Sequence, residues 1–174
     1  MSEETGDIQL KRIEELSELF DKLQQHFCVQ ESEIFDALYL RLNHKFNFEW
    51  VGDLWDLDLS FDDAQQILQD FDFTILRDVI ETDISLLPSD LRTIRKARVK
   101  HRGDIWVIHK YDQDPFPSSP HAHNIDNGIK LDLSDGKCYR VRKHVYTLNR
   151  KDLLEIRKNA VQVFKGDLPR LAIE

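Results

Sequence analysis

An α+β fold is predicted, with an acidic helical N-terminal half packed on or beside a four- to five-stranded antiparallel sheet and a C-terminal helix. Two changes along the chain predict it, and they fall close together. The spacing of apolar residues shifts from a helical period to strict alternation near Arg95. The charge changes sign near the same place: residues 1–90 carry 22 Asp/Glu against 6 Lys/Arg, and residues 91–174 carry 10 against 18, so the halves stand at −16 and +8. A third observation, hydrophobic residues at 41% with aromatics at 10%, supplies enough apolar material for a core across 174 residues. The division falls at 1–88, an acidic helical region, and 89–174, a basic β-rich region with a closing helix. Leu87-Pro88-Ser89 between them is short enough for the two parts to share a core.

The first helix is expected from about Thr5 to Phe27, where Leu10, Ile13, Leu16, Phe20, Leu23 and Phe27 recur at three- and four-residue steps. A second runs from Ser32 to about Asn43 on Ile34, Phe35, Leu38 and Leu42. Phe46 to Trp50 alternates, which predicts a short strand or extended segment. Asp53, Asp56 and Asp58 then lack the glycine and terminal glutamate of a calcium loop and are read as a solvated acidic edge. Ser60 with Asp63 forms a near capping box. The helix it opens is expected to bury Ala64, Ile67, Leu68, Phe71, Ile75, Val79 and Ile80 and to fade near Asp83. Ser89 to Arg92 predicts one short helical turn.

Strands follow. Arg95 to Arg102 alternates, Ile105 to Ile108 is an apolar run, and the proline-rich stretch from Asp112 to Pro120 is a loop. His121 to Ile125 begins the next strand, with a turn near Asn127-Gly128. Ile129, Leu131 and Leu133 make another, and Ser134-Asp135-Gly136 supplies hairpin chemistry. Cys138 to Val145 reads as one return strand. Asn149 then opens a last helix with Leu153, Ile156, Ala160 and Phe164 inward, ending before Gly166.

Cys28 and Cys138 stand far apart without a zinc-type spacing, which argues against a disulfide framework and for a reducing compartment. The acidic start lacks the order of a signal peptide, and no apolar run reaches the length of a membrane span. A cytoplasmic protein without a membrane partner is expected.

The chemistry-bearing motif is Pro120-His121-Ala122-His123-Asn124. Residues two apart on a strand share a face, so His121 and His123 are predicted side by side. Two imidazoles so placed suit metal-free acid–base catalysis on RNA, one taking a proton from a 2′-hydroxyl and the other donating to the leaving oxygen. Lys110 and Arg142 would stabilise the phosphate, and Asn124 would orient a ring. Lys130, Arg140 and the one-faced run Arg98, Lys100 and Arg102 would bind the RNA backbone, with Tyr139 or Trp106 stacking a base. This reading needs no metal or cofactor. A His-x-His pair is also a common half-site for zinc, iron or manganese, with His109, Asp112 or Asp126 as third ligand. The plainest alternative is structural: a histidine after a proline can pack on the loop and bond a backbone carbonyl. The basic track has a plain alternative too, since lysines and arginines keep a sheet edge soluble.

Pro120-His-Ala-His123, Gly128-Ile-Lys-Leu-Asp-Leu133 and the Ser-Asp-Gly hairpin, within residues 105–158, together resemble small prokaryotic toxin–antitoxin or mobile-element proteins. The resemblance implies RNA cleavage or a defence setting, with the histidine pair as the site. A small metal-independent ribonuclease is therefore the leading expectation, with RNA or another polyanion on the basic half. Its rival is a non-enzymatic antitoxin, immunity or adaptor protein that binds a protein partner, or itself, through the acidic helices.

Overall fold

A computed structural model describes residues 2–49, 51–92, 103–109, 112 and 114–173. Three helices precede the sheet: α1 (Ser2–Phe27), α2 (Glu31–Phe46) and α3 (Phe61–Leu68). In α1 the apolar stripe buries Leu19, Phe20 and Leu23 but leaves Ile13 exposed. A reciprocal capping box of Gln30 and Glu33 opens α2, with Gln30 N–H donating to Glu33 Oε2 at 2.9 Å. Asn47 closes α2 at φ 53°, a left-handed position that asparagine tolerates. No strand forms at Phe46–Glu49; a 3₁₀ turn at Val51–Asp56 follows instead. Ser60 Oγ accepts the Asp63 N–H at 3.1 Å, so the predicted start of α3 stands.

The helix expected to continue to Asp83 does not. Beyond Leu68 the chain turns, and Asp72 caps a separate 3₁₀ turn at Phe73–Leu76 by accepting the Thr74 N–H at 3.0 Å. Ile80 and Glu81 then leave the helical half altogether and form β1. The β-branched residues Ile75, Val79 and Ile80 fit an extended chain at least as well as a helix.

The sheet has six strands in sequential order, each antiparallel to the next: β1 (Ile80–Glu81), β2 (Ile105–Ile108), β3 (Ala122–Asn124), β4 (Ile129–Leu131), β5 (Lys137–Arg140) and β6 (Lys143–Thr147). The α+β class is as predicted, and the count exceeds the expected four to five for two reasons. One extra strand is β1. The other arises because the return strand expected from Cys138 to Val145 breaks at Val141 and Arg142, both at positive φ (46° and 61°), which makes a tight hairpin turn. The strand expected at Arg95–Arg102 lies outside the described residues, and the strands expected from Ile105 onward all appear.

Gly103 sits where β1 and β2 meet. A Cβ there would lie 1.5 Å from the Thr82 carbonyl oxygen, so only glycine fits.

The two faces of the sheet differ. Ile80, Trp106, Ile108, Ala122, Leu131 and Cys138 point to one side, where they form a core with Ile156 and Ala160 of α4 (Arg150–Val163). The other side carries the cross-strand row Val107, His123, Lys130, Tyr139 and His144. Val107 on this side joins the core made by the first three helices. The acidic half therefore covers the face that bears the histidines. No helix of the described residues is long and apolar enough to cross a membrane.

Candidate active site

Strand register places the histidines. His123 pairs with Val107 on β2 and Lys130 on β4, while Ala122 turns into the opposite core. His121 and His123 share one face, as the two-residue spacing predicts, with ring centroids 4.5 Å apart. Both are 2% exposed.

The loop between β2 and β3 returns a carboxylate to this pair. Asp112 Oδ2 lies 2.7 Å from His123 Nε2 and 3.1 Å from His121 Nε2. Its other oxygen, Oδ1, accepts the Asp114 N–H at 2.9 Å, so the carboxylate is held at both ends. His121 Nδ1 lies 2.8 Å from the Ser118 carbonyl oxygen. A carbonyl only accepts, so Nδ1 is the donor and carries the proton. The structural expectation for a histidine after a proline is thus met at Nδ1, and Nε2 is left facing Asp112.

The charge states follow from burial and neighbours. Burial pushes the His123 imidazole down to about 3, with the charge of His121 adding to this and Asp112 opposing it. Burial alone would raise Asp112, but the two imidazoles at its Oδ2 outweigh burial and hold it well below the usual carboxylate range. His109 follows β2 on the same face as Val107 and packs its ring against Phe71, 5.6 Å between centroids. Burial pushes it down to about 4, and its Nδ1 has no hydrogen-bond partner. Asp112 is thus an anion, and the His123 ring at its Oδ2 is neutral.

A second carboxylate, Asp114, anchors the loop. It takes Lys130 Nζ at 2.8 Å and Arg142 Nη2 at 3.0 Å, and accepts the Phe116 N–H at 3.1 Å. The Arg142 guanidinium also lies over the Phe116 ring, 4.7 Å from its centroid, and Phe116 meets Tyr139 edge-on at 4.9 Å. Lys130, Tyr139, Arg142 and Phe116 line a pocket together with His44 and Asn47 at the end of α2.

The other sequence-predicted residues are placed as follows. Arg140 gives its guanidinium to the carbonyls of Asn127 (2.8 Å) and Leu91 (3.0 Å). Asn124 Oδ1 accepts the Asn127 N–H at 3.1 Å and caps the 3₁₀ turn Ile125–Asn127. Trp106 is fully buried against the α4 side and offers no stacking surface. Lys110, Arg98, Lys100 and Arg102 lie outside the described residues. Of the three residues considered as partners for the pair, Asp112 is the one that joins it; Asp126 lies on the 3₁₀ turn. Asp114, Ser118 and Phe116 were not anticipated, and their one signal was their place in a proline-rich loop leading into the histidines. No family model, curated protein or solved structure matches this chain.

Proposed function

We propose that the chain is a hydrolase that cleaves RNA, toxin-like in setting, with its reaction centre at Asp112, His121 and His123. One observation carries this reading: a single buried carboxylate oxygen lies within 3.1 Å of both imidazoles on one strand face. Buried, mutually perturbed titratable groups of this kind concentrate at functional sites, where their environment is arranged for a reaction. Lys130 stands beside His123 in register, and with Arg142 it leaves one positive charge beyond what Asp114 neutralises. A phosphate drawn to Lys130 and Arg142 is held by that charge on the strand next to His123. The basic run from Arg95 to Arg102 supports a polyanionic substrate from the sequence alone.

His123, pushed down to about 3, is neutral across physiological pH. It is thus suited to orienting and accepting rather than to donating a proton to a leaving group. Replacing both histidines, His121→Ala/His123→Ala, is expected to abolish cleavage of a labelled single-stranded RNA while circular dichroism stays native. Full activity in that variant removes the proposal.

The adaptor reading is supported by a groove on the acidic half. Ile13 is 58% and Trp55 40% exposed there, alongside Leu16, Arg12 and Asp56. Apolar side chains with charged flanks are what a partner helix packs against. A native chain that leaves RNA intact under all cleavage conditions favours this reading over the enzyme.

A further inference from the structure

His121 Nε2 is a buried nitrogen with no hydrogen-bond partner, although a carboxylate oxygen lies 3.1 Å away. Nδ1 donates its proton to the Ser118 carbonyl, so Nε2 is the ring atom that faces the Asp112 carboxylate. A carboxylate held against a buried nitrogen that meets no hydrogen-bond geometry favours a positive species between them. The 3.1 Å approach does not meet hydrogen-bond geometry, so a proton on Nε2 fills that role poorly. A metal ion needs no N–H···O line. It needs lone pairs converging on one point.

The ligand atoms converge, and the proton that His123 Nε2 shares with Asp112 Oδ2 at 2.7 Å moves to Nδ1 or is released when a metal takes its place. One atom each from Asp112, His121 and His123 lies within 4.8 Å of the others, and among the described residues this is the one group of acidic, histidine or cysteine side chains that meets it. Bonds of about 2.0–2.1 Å to a tetrahedral ion put neighbouring ligand atoms about 3.3 Å apart. The His121–Asp112 separation of 3.1 Å is already close to that, and the His123–Asp112 separation of 2.7 Å has to open by about half an ångström. The supporting contacts are those of metal sites: a backbone carbonyl on the far nitrogen of His121, and a backbone N–H on the far oxygen of Asp112.

We propose that Asp112 Oδ2, His121 Nε2 and His123 Nε2 form a mononuclear site for a divalent first-row transition metal. Two imidazoles and one carboxylate suit zinc, iron(II) or manganese and disfavour magnesium and calcium, which take oxygen ligands. Three protein ligands leave coordination positions free, the pattern of catalytic rather than closed structural sites. When bound, the metal supplies Lewis acidity and an activated water. The chain's own part is to hold three ligands at fixed spacing on a strand and an anchored loop.

The inference goes beyond the ribonuclease reading and is tested without RNA. Protein stripped with a chelator and dialysed is titrated with Zn²⁺, Mn²⁺ and Co²⁺, followed by calorimetry, elemental analysis and the ligand-field absorption of Co²⁺. One equivalent of Zn²⁺ or Co²⁺ is expected to bind, with affinity at least 100-fold weaker in the isosteric Asp112→Asn and in His121→Gln. His144→Ala, which alters an exposed histidine outside the cluster, is expected to bind as the native chain does. Failure of the native chain to bind any of the three ions, or equal binding by native and Asp112→Asn proteins, overturns the site. Should the histidine variant unfold, Asp112→Asn and the Co²⁺ spectrum decide alone. Stoichiometric binding without RNA cleavage upholds the metal site and removes the ribonuclease; cleavage by a native chain that binds none of the three ions upholds the ribonuclease and removes the metal site.

Discussion

Lys130 Nζ and Asp114 Oδ2 form an ion pair 2.8 Å long, with side chains 12% and 7% exposed, and this pair ties the strand beside His123 to the loop that carries Asp112. A carboxylate in such a position depends on its partners, because burial alone would raise it; Lys130 first, then the Phe116 N–H and the charge of Arg142, turn the balance downward. Lys130→Ala leaves Asp114 with Arg142, which is 55% exposed and cannot replace a buried partner fully. The expected loss is on the order of 2 kcal/mol in a urea melt. Metal affinity should fall with it, since the loop is no longer held. A Lys130→Ala protein of native stability would show that the pair does not anchor the loop.

The buried His109 sets an acid limb. Its imidazole is pushed down to about 4, so between that value and the ordinary one near 6.5 the unfolded chain binds a proton that the folded chain does not. Stability therefore falls as the pH drops through this window and stops falling from this cause below about 4. The full penalty is about 3 kcal/mol. Chelated protein carrying His109→Phe, which keeps the contact with Phe71 but cannot titrate, should lose this part of the slope. Identical pH–stability curves for the two proteins would exclude His109 as the source.

The β5–β6 turn is strained. Val141 has φ 46°, a left-handed conformation that a β-branched residue adopts at a cost of about 1–2 kcal/mol. Val141→Asn keeps Arg142 on Asp114 and should raise stability by about 1 kcal/mol, measured as a shift in the urea midpoint. A neutral or lower midpoint would mean that packing by Val141 outweighs the backbone term.

The parts of the fold that were legible in the sequence depend on local chemistry. Ser60 marks a helix start because its hydroxyl acts on Asp63, three residues away. His121 and His123 share a face because a strand alternates. What escaped depends on distant partners. Ile80 and Glu81 look helical until Trp106 and Ile105 offer them a strand to pair with. The turn at Val141-Arg142 carries neither glycine nor asparagine, so nothing local marks it. Asp112 was one of three carboxylate or imidazole partners open to the pair, and only the course of the loop selects it. Nothing local marks Asp114, because its cations lie 16 and 28 residues away. Distant partners also occupy the charged residues: Lys130 and Arg142 bind a carboxylate, and Arg140 binds carbonyls.

Whether Asp112, His121 and His123 act as one centre on RNA is tested most directly by a chelation and reconstitution assay. Cleavage of a labelled single-stranded RNA is followed with protein as purified, after chelation, and after one equivalent of Zn²⁺ or Mn²⁺ is returned. The prediction is loss on chelation, recovery with metal in the native chain, and no recovery in Asp112→Asn. Cleavage that ignores the chelator and persists in Asp112→Asn would contradict it.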